Sequence, residues 1–298
     1  LSDECALRAN EPLARRTTLG LGGAARWYAE PANVDDIVAL LRAAAELDLR
    51  WFALGRGSNL LVPDEGYDGL ILHLDAAHWG AVTDLGDGRF RVGGGTRLKE
   101  LCGFAARAGW QGFEFLEGIP GTVGGSLRMN AGAMGGWIFD VVESIEWLSP
   151  QGRVRAARRD CFDALYRECP QLHGGVVLSA VLRATGRDEP AAIRARMDAM
   201  AARRRAAQPR EASAGCVFRN PPAAKAGQLI DASGLKGRAV GAVAVSPVHA
   251  NFLVNGGGAT AADFLALMRE VRAGVRAAAG VELQPEIVVL GREWRELL

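Results

Sequence analysis

Between Val34 and Leu47 the apolar residues Val34, Ile37, Leu40, Leu41, Ala44 and Leu47 recur at helical spacing. Asn33 is placed to cap that helix, with Asp36 in its first turn. Trp51–Leu54 reads as a short buried strand that stops abruptly at Gly55-Arg-Gly-Ser-Asn59. Leu60–Val62 and Leu70–Leu74 read as further strands around an Asp64-Glu-Gly turn, so the chain to this point predicts a small α+β unit. From Arg89 the rhythm changes. Phe90–Val92 predicts a strand and Leu98–Ala108 an amphipathic helix. The apolar runs Val142–Leu148, Arg153–Ala157 and Val176–Leu182 predict a second, largely antiparallel sheet, with Gln151-Gly152 as the hairpin turn between the first two. Pro190–Ala206 predicts a long helix, Pro190 suiting its first turn, that leads into a third part of the chain. There Thr260 and Asp263 approximate a capping box, opening a helix with Phe264, Leu267, Val271 and Val275 on one face. Glu286–Leu290 predicts a closing strand.

The length of 298 residues suffices for two or three domains, and 49% hydrophobic with 23% charged residues is an ordinary globular balance. A net charge of +1 argues against a nucleic-acid binder working through a broad basic face, but not against a local pocket for a phosphate-bearing ligand. No run of about 18 apolar residues predicts a membrane span. The acidic start Leu1-Ser-Asp-Glu lacks the apolar core of a secretory signal. The five cysteines, Cys5, Cys102, Cys161, Cys169 and Cys216, are odd in number and scattered, without zinc-ligand spacing. The expectation is a cytoplasmic protein with neither a disulfide framework nor a metal.

Four segments concentrate glycine and polar residues. In Gly55-Arg56-Gly57-Ser58-Asn59 the glycines allow close main-chain approach to an anion, and Ser58 and Asn59 can donate to phosphate oxygens. Gly118-Ile119-Pro120-Gly121-Thr122-Val123-Gly124-Gly125 is denser and runs on through Met129-Asn130-Ala131-Gly132 to Gly136. The third, Ser213-Ala-Gly-Cys216-Val-Phe-Arg219-Asn220-Pro221, sets a thiol among polar neighbours; Cys5, Cys102 and Cys161 read as small buried hydrophobes. The fourth comprises Ser246–Phe252 and Asn255–Gly258, in which His249 reads as a hydrogen-bonded structural histidine. Tyr166-Arg167 and a carboxylate, Glu286, at the head of an apolar strand complete the candidates. Neither a GxGxxG dinucleotide fingerprint nor a P-loop is present.

Taken in order, these segments resemble one family, the bacterial UDP-N-acetylenolpyruvoylglucosamine reductases (MurB). The match rests on Thr18–Gly23, Gly55–Leu61, Gly118–Gly125, Met129–Gly132, Tyr166-Arg167, Ala214–Pro221, Ala226–Ile230, Gly234–Gly237, His249–Phe252 and Pro285-Glu286, which together span nearly the whole chain. The resemblance implies an α+β protein with a two-part FAD-binding region of the vanillyl-alcohol-oxidase (PCMH) type and a C-terminal α+β substrate domain. Its divisions would be residues 1–76 joined by 282–298, 77–188, and 189–281. It implies a monomer that holds FAD non-covalently and uses NADPH to convert UDP-N-acetylglucosamine enolpyruvate to UDP-N-acetylmuramate, a step of peptidoglycan precursor synthesis. The residues implied at the flavin are Gly55–Asn59, Gly118–Thr122, Gly124, Gly125, Asn130 and Ala131. Hydride would reach the vinyl carbon, Arg167 and Glu286 would polarise the carboxylate and stabilise the enolate, and Cys216 would supply the proton. Arg203, Arg204, Arg205, Arg219, Asn220 and Lys236 are candidates for the diphosphate, against the plainer reading of the arginine run as a solvated helix face.

Two departures stand out. The family's proton donor is usually serine, and here it is Cys216. A thiol of unperturbed pKa about 8.5 is mostly protonated at neutral pH and can donate, at the cost of sensitivity to alkylation and oxidation. The stretch from Arg167 to Cys216 is short, implying the branch that lacks an inserted tyrosine-bearing substrate loop. Two other readings remain: an oxidase or dehydrogenase of the same fold, and a flavin- or nucleotide-binding protein without catalysis. The first is disfavoured because the stretch around the first glycine turn has no histidine to tether a flavin; the second is disfavoured by the chemical competence of Arg167, Cys216 and Glu286.

Overall fold

The computed structural model describes residues 1–222 and 224–298. The chain forms two compact units, one of Leu1–Arg8, Tyr28–Arg56 and Gly69–Arg204, the other of Ala9–Trp27, Gly57–Asp68 and Arg205–Leu298.

In the first unit the antiparallel sheet is observed with five strands, in the order Val154–Arg158, Val142–Leu148, Val176–Arg183, Arg89–Gly93 and Val82–Gly86. Ile145 pairs with Ala157 on one side and Ala180 on the other, and Ala180 pairs with Val92. Gly152 closes the hairpin at φ +73° with its N–H donating to Ser149 O, the left-handed turn geometry that glycine tolerates. Phe90, Val92, Ile145, Ala180 and Leu182 are buried with Leu98, Leu101, Cys102, Ala105 and Ala106 of the helix Leu98–Arg107 in one core. Those five helix positions are the i, i+3, i+4, i+7, i+8 stripe that amphipathic periodicity requires. Ile193 and Met197 of the helix Pro190–Ala207 join the same core. That helix is pinned by Arg196, which pairs with the buried Glu114 at 2.9 Å and with Asp188 at 2.7 Å.

The strand Arg50–Leu54 lies parallel to Gly69–His73, in register from Arg50↔Gly69 to Leu54↔His73. The helix Val34–Glu46 is capped as its sequence predicts, Asn33 Oδ1 accepting from Asp36 N at 2.9 Å. Asp36 is buried rather than merely placed at the helix dipole: its carboxylate accepts from Ser2 N and Oγ and from Ala32 N.

The second unit carries a four-stranded antiparallel sheet in the order Ala212–Cys216, Phe252–Asn255, Val243–Val245 and Ala239–Val240. Phe264, Leu267, Met268, Val271 and Val275 of the helix Ala261–Ala279 share its core. Both halves of the Thr260–Asp263 capping box form, and Asp64 adds a second cap by accepting from Ala261 N and Ala262 N. The predicted closing strand Glu286–Leu290 is shorter, its ladder being Val288–Val289 parallel to Leu60–Leu61. The reason is a change of partner: Pro285 bridges Phe218 and Glu286 N donates to Val217 O at 2.7 Å before the chain reaches Leu60. No helix of the described residues is long and apolar enough to cross a membrane.

Main-chain crowding makes the glycines unequal. A Cβ on Gly94 would lie 2.1 Å from Val177 O, whereas on Gly103, inside a helix, its nearest neighbour would be the mobile end of Arg107 at 3.3 Å. Gly94→Ala is expected to cost about 3 kcal/mol in urea unfolding, the upper range of overpacking. Gly103→Ala is expected to add about 0.5–1 kcal/mol by helix propensity.

Candidate functional site

The strand Arg50–Leu54 delivers its chain end to Gly55, and there the two glycine turns meet. A Cβ on Gly55 would stand 2.7 Å from Thr122 Oγ1, so only glycine lets the first turn pass the second this closely. Thr122 is buried and caps the short helix Val123–Arg128, its Oγ1 accepting from Gly125 N. Much of the Gly118–Gly125 main chain is consumed internally: Val123 N donates to Thr96 O, Gly124 N to Gly94 O, and Gly121 O accepts from Leu98 N. The loop Gly93-Gly94-Gly95-Thr96 is therefore the backing of this site, and it was not among the sequence candidates. Its signal was three consecutive glycines closing a strand.

Several groups around these turns have no hydrogen-bond partner among the described residues. They are the N–H groups of Arg56, Gly118, Gly121 and Thr122, the buried Asn130 Oδ1, and the fully buried Thr96 Oγ1. Arg56 and Gly118 are exposed to water, but Thr96, Thr122 and Asn130 are buried, where polar atoms are nearly always satisfied, so this group marks a place prepared for a ligand. Asn130, at φ +37°, uses its Nδ2 to donate to Leu165 O at 3.0 Å. Ile119, Pro120, Gly125 and Ala131 lie on the same run of chain, Ala131 O accepting from Ile138 N.

Leu165 and Glu168 bridge to each other, which puts Tyr166-Arg167 at the tip of a two-residue turn. Arg167 takes φ +57°, a conformation that usually falls to glycine or asparagine and costs on the order of 1–3 kcal/mol elsewhere. Its guanidinium lies 5.6 Å from the Trp137 ring centre and 5.3 Å from that of Tyr166, and its Nη1 donates to Gly132 O at 3.4 Å. Cation–π contacts of this kind contribute about 0.5–2 kcal/mol. Beside the turn is a cavity of about 210 Å³ bordered by Asn130, Trp137, Phe139, Arg159 and Tyr166. Arg204 lies over Gly118, its Cδ within 2.8 Å of where a Cβ would be, and Arg203 is exposed.

In the second unit Gly57, at φ +62°, packs against Arg16 O and Thr17, its own carbonyl accepting from Thr18 N. Ser58 is half-buried, and Asn59 Nδ2 donates to Glu286 O at 3.3 Å. Cys216 ends the strand Ala212–Cys216, and the bond from Glu286 N to Val217 O sets Cys216 and Glu286 on adjacent segments. Asn251, almost fully buried, fixes the chain just after Cys216: its Oδ1 accepts from Phe218 N, its Nδ2 donates to Phe218 O, and its O accepts from Val217 N. Burial holds the half-buried His249 below its ordinary pKa, and its Nδ1 accepts from Asn251 N, in keeping with the structural role read from the sequence. Of the remaining diphosphate candidates, Arg219 is half-buried and its N donates to Gln284 O. Asn220 Oδ1 caps Ala226 N, Lys236 pairs with Asp231 at 2.7 Å, and Arg205 is exposed.

None of the five cysteines forms a disulfide, and no cluster of three or more metal-ligating side chains occurs among the described residues. Burial pushes the Cys102 thiol far up and that of Cys169 to about 11.

Comparison with known proteins adds chemistry to this geometry. Residues 208–290 match the family model described as the UDP-N-acetylenolpyruvoylglucosamine reductase C-terminal domain, and residues 25–158 match an FAD binding domain. A UDP-N-acetylenolpyruvoylglucosamine reductase of Heliobacterium modesticaldum is 44% identical over 94% of this chain and 90% of its own length. One from Pelobacter propionicus is 42% identical over 96% of each. The crystal structure of such a reductase from Thermus caldophilus aligns with TM-score 0.82 at 35% identity, covering 96% of this chain and 98% of that one. The residues fit a flavin dinucleotide: unspent N–H donors beside glycines suit its diphosphate, and Asn130 Oδ1 can accept from a ring N–H.

Gly55→Ala is expected to weaken FAD retention at least tenfold, about 1.4 kcal/mol, as read from the flavin absorbance left after gel filtration. In native protein at pH 8, Cys102 and Cys169 are expected to escape maleimide labelling that reaches the exposed Cys161, measured by peptide mass spectrometry.

Proposed function

The chain belongs to the UDP-N-acetylenolpyruvoylglucosamine reductase family of FAD-dependent oxidoreductases, and we propose that it reduces UDP-N-acetylglucosamine enolpyruvate to UDP-N-acetylmuramate at the expense of NADPH. In this reading it works as a cytoplasmic monomer in peptidoglycan precursor synthesis. Residues 25–158 hold the flavin and residues 208–290 carry the nucleotide sugar, with Arg203, Arg204, Arg205, Arg219, Asn220 and Lys236 as the candidates for its diphosphate. The observation that supports the reading is the hydrogen bond from Glu286 N to Val217 O, which ties the backbone just after Cys216 to that of Glu286.

When bound, FAD supplies the hydride relay between the nicotinamide and the vinyl carbon of the substrate. Arrival of hydride at the vinyl CH₂ leaves carbanion character on the carbon that bears the carboxylate, and the protein must stabilise it. Arg167 is suited to this because its planar fork binds a carboxylate bidentately and keeps its charge. Glu286 acts with it to polarise the carboxylate. Cys216 completes the reduction: its S–H bond breaks, a C–H bond forms at the enolate carbon, and the thiolate recovers its proton from solvent. Asn251, by holding Val217 and Phe218, keeps the Cys216 backbone from drifting away from the carbon it protonates.

The test is a substrate-dependent assay. Purified protein is expected to be yellow and to oxidise NADPH rapidly only when the enolpyruvyl nucleotide is added. A colourless preparation that FAD does not reconstitute overturns the reading. Cys216→Ala is expected to keep NADPH-dependent flavin bleaching but to slow reoxidation by the enolpyruvyl substrate by about 10²–10⁴-fold, the usual worth of a positioned acid. Cys216→Ser is expected to recover much of that loss. Normal turnover by the alanine variant removes Cys216 from the mechanism.

A further inference from the structure

We propose that Trp137 is a positioning residue that holds the Arg167 guanidinium in the orientation needed to bind the substrate carboxylate; the role of Arg167 itself rests on the functional reading above. Arg167 reaches out from the tip of a strained turn on a long side chain with large rotamer freedom. A carboxylate partner demands a fixed fork, so something must remove that freedom before substrate arrives. The Trp137 ring is placed to do so, its centre 5.6 Å from the guanidinium carbon.

Trp137 is itself rigid. It pairs with Gly132 across the two-stranded hairpin formed by Gly132–Ala133 and Gly136–Trp137, and its N–H donates to Asp140 Oδ2 at 2.7 Å. The next residue, Ile138, donates its N–H to Ala131 O at 2.9 Å. A Cβ on Gly132 would come within 2.4 Å of Trp137 Cε3, so the absence of a side chain there lets the indole lie against the main chain. The carbonyl of the same Gly132 accepts from Arg167 Nη1. Tyr166 closes the other edge, its ring 6.0 Å from that of Trp137 and tilted by 72°. An aromatic face attracts a cation without accepting a hydrogen bond, so it steers the guanidinium and adds no competitor for its N–H groups. A hydrogen-bonding side chain in its place would compete with the carboxylate.

Three variants of the holoenzyme test this. Trp137→Met fills similar space without a π face and is expected to lower kcat about tenfold. Trp137→Phe keeps a π face and is expected to stay within about twofold of wild type. In both, FAD content and the rate of flavin bleaching by NADPH are expected to hold, because neither needs Arg167. A second readout is independent of turnover: the rate at which phenylglyoxal modifies Arg167, followed by peptide mass spectrometry, is expected to rise severalfold in Trp137→Met and not in Trp137→Phe. If Trp137→Met fails to retain flavin, Trp137→Leu takes its place. Unchanged Arg167 reactivity in the methionine or leucine variant overturns the proposal, whatever happens to kcat. Wild-type protein that does not reduce the enolpyruvyl nucleotide overturns the functional reading instead, and the Arg167 reactivity still judges the clamp.

Discussion

The first unit depends on main chain packed so closely against its neighbours that no Cβ fits. Gly94 fits under Val177 O and accepts from Gly124 N, and Gly55 slides past Thr122 Oγ1. Each contact forbids a Cβ, and each joins segments that are remote in sequence. Because the backing loop satisfies the amides of Val123 and Gly124, the short helix Val123–Arg128 is fixed in place, and the donors left over on Gly118, Gly121 and Thr122 are presented as a set. A binding surface built from backbone has few torsions to freeze when a ligand arrives, which is how preorganisation gains affinity.

A different device governs the second unit. There the segment from Gln284 to Val289 is shared between two partners, its first half bonded to Val217–Arg219 and its second to Leu60–Leu61. Glu286 sits where the exchange occurs, so its backbone is tied both to the strand end carrying Cys216 and, through Asn59 Nδ2, to the first glycine turn. Asn251 does the corresponding service on the other side, using both ends of its amide on one residue, Phe218. The buried amide is fully engaged on that side, which makes the local geometry hard to deform without leaving a polar atom orphaned.

What could be read in the sequence was what is decided locally. The stripe from Leu98 to Ala106, the Asn33 cap, the Thr260–Asp263 box and the antiparallel meander around Gly152 all follow from neighbours a few residues away. The strands Ala6–Pro12 and Val82–Gly86 were missed because they are largely solvated and show no alternation for a pattern to reveal. At the site, composition announced the glycine turns, and family likeness assigned Arg167, Cys216 and Glu286. Neither could reveal the buried Thr96, or Gly94 with its neighbouring carbonyl more than 80 residues away, nor the pairing of Trp137 with Arg167. Glycine in a sequence states that something comes close; only the fold says what.

The second unit is assembled from three stretches, and this matters during protein synthesis. Leu60 and Leu61 leave the ribosome early, but their strand partners Val288 and Val289 emerge about 230 residues later. At about 5–20 residues per second, that is a wait of roughly ten to fifty seconds. Asp64 likewise has no helix start to cap until Ala261 has been made. Through this interval the Leu60–Leu61 edge lacks its partner, and the first unit receives its last residue, Arg204, while Val288 is still about 84 residues away. The order in which the two units mature is thus written into where the chain crosses between them.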